Sequence, residues 1–499
     1  MRYYVCELIK KNKKYLVLAI AILIFLGISE YFNNPKLDNF SSRTFFVDAT
    51  LGNDSNDGLN PQTAWKSVKK VNKMQFDINK DKIIFDKIYI NSKFKSGDKI
   101  LFKRGEVWNE ELYILSSGIK DNPIIFGAYG NGKKPLFDGS ICISSKCGSN
   151  YDWKIYKDNI YQLEIDRNLG VISESEIPLI FVSFEHNKDN FAKMIPGSSL
   201  YDYENKILYL WTKKGNNPND FLIKGSVKEN IIRPINSEYF IVRDLEITHA
   251  ASTCVRPENI NNAIFENLEI HNCGGLWNKE GLFYDGNGIT IIFNSENILI
   301  QNNIIYNVYD SAISPQTFWK DKLLIKNIFI KNNTLFNAPH SVIEIANWAN
   351  NSLIENIIIE NNEIYNRGDS FSERYNLNKP YGGPGILITV DIDKKSQIKK
   401  VKIIDNKIFN NTLDGIAIGL NSDSIEIINN NISNNKGSGI IIFDDKKSTI
   451  TSAYINNNSI THNGDSILIY EDLKVLENNN FILNNSHLNI TQQIKKYFK

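Results

Sequence analysis

The sequence predicts an all-β protein organised as a parallel β-solenoid, and three observations carry the prediction. Between about Glu238 and Asn485 a unit recurs with the form I-x-N-N-x-I, a turn, then G-I-x-I. The isoleucines of its second half, at 289, 313, 343, 386, 416, 440 and 467, are separated by 24, 30, 43, 30, 24 and 27 residues. Apolar residues within the unit alternate with a period of two and are mostly β-branched, which marks strands and not helices. A β-propeller needs a period of ~40 residues, and the unit lacks the leucine framework and helical half of leucine-rich repeats. Short strands stacked in coils ~4.8 Å apart remain.

Four segments follow in chain order. Residues 1–43 place Lys10, Lys11, Lys13 and Lys14 ahead of the apolar run Leu16 to Ile28, the basic flank and apolar core of an export signal. Tyr15 to Phe32 gives 18 mostly apolar positions, close to the ~20 that cross a bilayer. An N-terminal membrane anchor is therefore expected, with the ectodomain in the cell envelope; cleavage after Ser29 and secretion is the alternative. Residues 44–140 hold an N-terminal helical cap and the first coils. Pro61, Thr63 and Trp65, followed by SVKKVNKM, form an amphipathic plug with an aromatic lid. A plug is needed because an open solenoid end exposes unpaired strand edges.

Asp54 and Asp57, clustered with Asp48, Asn53, Asn56 and Gly58, are candidate Ca²⁺ ligands. The same residues also simply make turns, and that reading is favoured. Residues 141–235 interrupt the repeat with Tyr151, Trp153, Tyr156, Tyr161, Tyr201, Tyr203, Tyr209 and Trp211 among short strands such as KILYLW (206–211). An inserted antiparallel β element with a mainly aromatic core is expected there. Residues 236–499 form the main solenoid. Asn302, Asn332, Asn361, Asn406, Asn430 and Asn457 are assigned to one column bonding along the stack at a turn.

Composition narrows the function. Lys and Arg number 57 against 56 Asp and Glu, a formal charge of +1, so no basic footprint for nucleic acid exists. Hydrophobic content of 42% and charged content of 23% suit a globular chain. Mean hydropathy of −0.30 excludes a polytopic membrane protein. Cys142, Cys147, Cys254 and Cys273 follow the anchor; they can pair as 142/147 and 254/273, but three connectivities are open, as are buried free thiols. No pair has metal-ligand spacing.

The repeat, with FFVDATLGNDSNDGLNPQTAWKSVKKVN (45–72), SGDKILFKRGEVW (96–108) and NPIIFGAYGNGKKPLFDG (122–139), resembles the right-handed parallel β-helix of pectate-lyase-like, polysaccharide-active proteins. The resemblance covers nearly everything after Thr44. It implies a polysaccharide substrate or ligand, and an activity among lyases, epimerases, hydrolases and non-catalytic adhesins, all of which the fold hosts. Family lyases commonly use an Arg or Lys base with Ca²⁺, and no basic residue stands out on the strand face defined next.

With the aligned isoleucines inward, positions −3, +1 and +3 point outward. One coil then presents Asp310, Ser314 and Gln316, the next His340 and Glu344, and the next Thr389. Later coils present Ala417, Gly419, Ile441, Phe443, Leu468 and Tyr470, so polar groups concentrate on the middle coils. Asp310 and His340 share a column on neighbouring coils, ~5 Å apart, where a carboxylate orients an imidazole and favours its charged form.

His340 is the candidate base, with Asp310 and Glu344 as the other catalytic candidates. Along an extended strand Asp310 and Glu344 differ by ~13 Å, beyond the ~6.5–9.5 Å of an inverting glycosidase. Lys331, Arg367 and Arg374 are candidate charge stabilisers. Arg367, Arg374 and Tyr381 lie in the insert 366–382, a candidate binding-site wall. Trp319 and Trp348 are candidate sugar platforms. The expected function is β-elimination or C5-epimerisation of an acidic polysaccharide by a monomeric protein, with non-catalytic glycan binding second and hydrolysis third.

Overall fold

The computed structural model describes residues 42–485, apart from 77–81, 85–86, 90–91, 149, 168, 183–187, 279–282, 367–382, 392–394, 420–421, 444–451 and 470–473. The expected membrane anchor therefore lies outside the described residues. Among those described, no helix is long and apolar enough to cross a membrane.

Three parallel walls of twelve, eleven and seven strands form the coil, the seven-stranded one starting at Ile289. One coil illustrates the path. Ser295–Gln301 adds to the twelve-stranded wall, Ile304–Val308 to the eleven-stranded wall and Ser311–Thr317 to the seven-stranded wall. The predicted register holds throughout: Ile289 pairs with Ile313, Ile313 with Ile343, Ile343 with Ile386, and so on to Ile440 with Ile467. Ile289 to Ile440 have no exposed surface, and Ile467 packs against the same core.

The asparagine column is one residue out of register with the prediction at four of its six positions. The buried ladder runs through Asn303, Asn333, Asn362, Asn406, Asn430 and Asn458. Each Nδ2 donates to the Oδ1 of the next at 2.9–3.0 Å, as from Asn303 to Asn333 and Asn333 to Asn362. Asn302, Asn332, Asn361 and Asn457 are instead the preceding residues, with φ near +56. The turn needs two different asparagines: one tolerates the left-handed backbone, the next bonds inward. Asn411, Asn435, Asn463 and Asn485 build a second ladder at the following bend.

Helix α1 (Val68–Gln75) closes the N-terminal end as expected, started by Ser67, whose side chain accepts from Lys70 N. It satisfies the open edge of Leu112–Ile114 directly. Gln75 Nε2 donates to Tyr113 O at 2.6 Å, while Leu115 N donates to Gln75 Oε1 at 3.0 Å. Asn72 bonds Tyr113 N and Glu111 O. Trp65 lies buried against Phe45, ring centroids 4.8 Å apart.

The insert is opened and closed by the antiparallel pair Ser140–Cys142 and Ile223–Ser226. It holds a four-stranded and a five-stranded sheet, with one parallel pairing (Ile180–Val182 with Ser198–Asp202) among antiparallel ones. It ends before residue 235, because Ile232–Pro234 already pairs in parallel with Leu112–Ile114 of the coil. Trp153, Tyr201 and Tyr209 are buried in its cores, whereas Tyr156 is exposed. Cys142 is paired with Cys147 and Cys254 with Cys273.

Candidate functional site

The seven-stranded wall carries the predicted polar face. His340 N donates to Asp310 O at 3.1 Å, which places the two residues on one column of adjacent coils. His340 Nε2 lies 3.2 Å from Glu344 Oε1, and its Nδ1 lies 4.0 Å from Asp310 Oδ1. Ser314 Oγ donates to Glu344 Oε2 at 3.0 Å. One imidazole thus stands between two carboxylates, and a serine braces the far side of one of them.

The ~13 Å offset between Asp310 and Glu344 does not survive, since it assumed an extended strand from His340 onward. The strand begins at Ser341, and His340 occupies the bend before it. That bend turns the imidazole back over Glu344. It is held from the other side by Gly383, whose N donates to Pro339 O at 2.8 Å and whose missing Cβ would fall 1.4 Å from His340 O.

Exposure divides the roles. Glu344 is 5% exposed and Ser314 not at all. The side chains of His340 and Asp310 are 37% and 23% exposed. The outward face is therefore covered over its middle and open at the bend, so His340 and Asp310 are the accessible members of this cluster. Glu344 instead meets His340 Nε2 and Ser314 Oγ. Past Glu344 the same column becomes Leu387, Ala417 and Ile441, which form a buried apolar cluster with Phe443 outside the coil.

The other predicted residues are spread more widely. Gln316 and Thr389 are half-buried on the outer face of this wall. Trp319 and Trp348 follow its strands on adjacent coils, exposed by 68% and 38%. Lys331 does not share this face. It sits on the twelve-stranded wall, ion-paired with Glu360 at 2.7 Å, beside a groove of about 610 Å³ lined by Ile264, Leu299 and Phe329. Arg367, Arg374 and Tyr381 lie outside the described residues.

Asp54 and Asp57 serve local turns. Asp54 accepts from Lys66 N, Ser67 N and Ser67 Oγ, and Asp57 from Leu59 N and Thr63 Oγ1. Burial raises the Asp54 pKa, but these donors outweigh it and hold the carboxyl below its ordinary value. Among the described residues no group of three or more His, Cys, Asp or Glu is arranged to hold a metal.

A basic pair on this wall escaped the sequence reading. Ile232 pairs with Val255 and Val255 with Ile289, which puts Arg233 and Arg256 in the outward column of Thr290, Ser314 and Glu344. Both coils lack the G-I-x-I mark, which hides their register from the sequence. The signal was nevertheless present, as IRP at 232–234 and VRP at 255–257, one coil apart.

No protein-family model matches the chain, and no curated protein matches it by sequence. Its likeness is to solved structures. One is the GH136 lacto-N-biosidase from Eubacterium ramulus, at 15% identity and TM-score 0.51, covering 89% of this chain and 68% of that one. Another is a glycoside hydrolase at 8% identity and TM-score 0.52, covering 91% and 98%. A pectate lyase, Pel9A, aligns at 12% identity and TM-score 0.46, covering 87% and 78%. The chain has the parallel β-helix fold of the pectate-lyase-like proteins.

Proposed function

We propose that this protein is an exported, carbohydrate-active enzyme of the cell envelope, tethered through its N-terminal apolar segment, that acts on an acidic polysaccharide by β-elimination or C5-epimerisation. The observation that carries the reading is His340 at the open bend of the polar wall, flanked by Glu344 at 3.2 Å and Asp310 at 4.0 Å. Removing the proton α to a uronate carboxyl needs a positioned base whose ring cannot turn away. Two flanking carboxylates fix the ring plane and compensate the charge the imidazole gains. Glu344, anchored by Ser314, positions the ring, while Asp310 shares the exposed mouth and is placed to meet the substrate.

Hydrolysis is the second reading, and one specific observation favours it. Asp310 and Glu344 flank a single ring, which removes the separation that spoke against paired-carboxylate chemistry. Two of the solved structures this chain resembles at a TM-score above 0.5 also carry glycoside-hydrolase names. Non-catalytic glycan binding is the third.

One assay series separates all three. Uronate polymers incubated with the full chain should develop the absorbance of unsaturated sugar ends if elimination occurs, and His340→Ala should abolish it. Epimerisation leaves absorbance flat and changes the polymer's NMR spectrum. New reducing ends without absorbance would replace the proposal with hydrolysis, and binding without any product would replace it with recognition alone.

A further inference from the structure

Arg256 combines low exposure, a shared carboxylate and an aromatic contact. Its N donates to Ile232 O at 2.9 Å, and Thr290 N donates to Val255 O at 3.0 Å, so it is fixed in the column that leads to Ser314 and Glu344. Its side chain is 15% exposed. Glu258 Oε1 lies 3.2 Å from Arg256 Nε and 2.8 Å from Arg233 Nη2, so one carboxylate is divided between two guanidiniums. Beyond Arg233 the column continues to Tyr113, whose hydroxyl donates to Glu111 at 3.2 Å. Arg233 and Arg256 with Glu258 therefore keep one positive charge in excess.

The guanidinium of Arg256 lies 5.5 Å from the ring centroid of Trp319. Trp319 has φ +67, a backbone conformation that bulky side chains avoid, and it remains 68% exposed. The fold thus holds a large ring in a strained turn, one face over a cation and much of the remainder open to solvent. Bulky residues held in such backbone conformations are over-represented at ligand sites.

We propose that Arg256 and Trp319 form a subsite for an acidic sugar, with the pyranose stacked on the indole and its carboxylate bound by the guanidinium. This rests on the reading of the seven-stranded wall as the carbohydrate-facing surface, and it names the substrate class and the residues that select it. A planar guanidinium offers paired donors that match a carboxylate. Arg256 stands three coil steps from Glu344, ~14 Å along the stack, so a substrate must be an oligomer to reach both Arg256 and His340.

The test uses the full chain carrying His340→Ala, so that binding is read without turnover. Hexamers of galacturonic and glucuronic acid and of neutral glucose are titrated by calorimetry, with tryptophan fluorescence as the second readout. Acidic hexamers should bind at least ~tenfold more tightly than neutral ones, the equivalent of one charged contact, and should shift the fluorescence. Adding Arg256→Gln should remove that preference, while Arg256→Lys should restore only part of it. Trp319→Ala should abolish the fluorescence shift and weaken both classes of hexamer. Its exposed side chain lets that variant carry the test if circular dichroism shows Arg256→Gln misfolded. Undiminished acidic binding by either variant, equal affinity for neutral hexamers, or no acidic binding at all would overturn the subsite. A chain that binds acidic hexamers in this way yet releases no product from polymer would leave the subsite standing and remove the proposed reaction.

Discussion

At the scale of single residues, His340 owes its position to neighbours that cannot be exchanged freely. Glu344→Gln keeps the shape but removes a buried charge, and the ring loses the carboxylate that meets its Nε2. Turnover should fall at least ~tenfold with little change in KM, since the lost contact matters most when the imidazole gains a proton. Gly383→Ala tests position in a different way. A methyl group 1.4 Å from His340 O forces the bend to move, and turnover should fall although no ionisable group has changed. Equal rates for Gly383→Ala and the native chain would mean that the bend does not position the base. Trp319 and Arg256 show a residue-scale fact hidden from the sequence: their meeting joins coils separated by a third, and the coil of Arg256 lacks the repeat's mark.

At the scale of elements, the turn between the twelve- and eleven-stranded walls uses adjacent asparagines for opposite purposes. Asn361 has φ +55, so Asn361→Gly should be nearly neutral, because glycine enters that region without cost. Asn362 is buried; it donates to Asn406 Oδ1 and Ile330 O and accepts from Asn333 N and Nδ2. Asn362→Gly leaves several of these groups unsatisfied and should cost about 1–3 kcal/mol or more in denaturant unfolding. Reversal of that order would return the ladder to the position the sequence suggested. In the walls themselves, Ile343→Ala should cost about 2–5 kcal/mol, because coils on both sides hold the cavity open.

At the scale of the whole molecule, the insert is locked to the coil by a buried polar joint. Ser173 Oγ from the insert lies 2.9 Å from His249 Nε2, and Lys224 from the insert lies 3.0 Å from Asp138 Oδ2. Burial pushes the His249 pKa down to about 3, against the pull of Asp138, so the ring is neutral at ordinary pH. The unfolded chain binds this proton near pH 6.5 and the folded chain only near 3, so stability must drop as pH falls through that window. The melting temperature should therefore decline below about pH 6.5, and His249→Gln should flatten the decline. An unchanged slope in that variant would show that the joint does not govern acid stability. The joint bears on the site because Phe181 of the insert meets Tyr309, next to Asp310, edge-on at 6.1 Å.

The sequence by itself determined the coil. A period-two pattern sends one set of side chains inward, and a one-residue slip would turn every isoleucine out, so local repetition was enough to place seven strands in register. It also located the wall on which polar groups gather, since alternation tells inside from outside. What only the tertiary structure decided was which polar groups meet. The bend at His340, the cover over Ser314 and Glu344, the separate wall of Lys331 and the pairing of Arg256 with Trp319 all depend on turns and on coils without the repeat's signature. Strand periodicity carries no information about either, because a turn's direction is set by packing against coils above and below it.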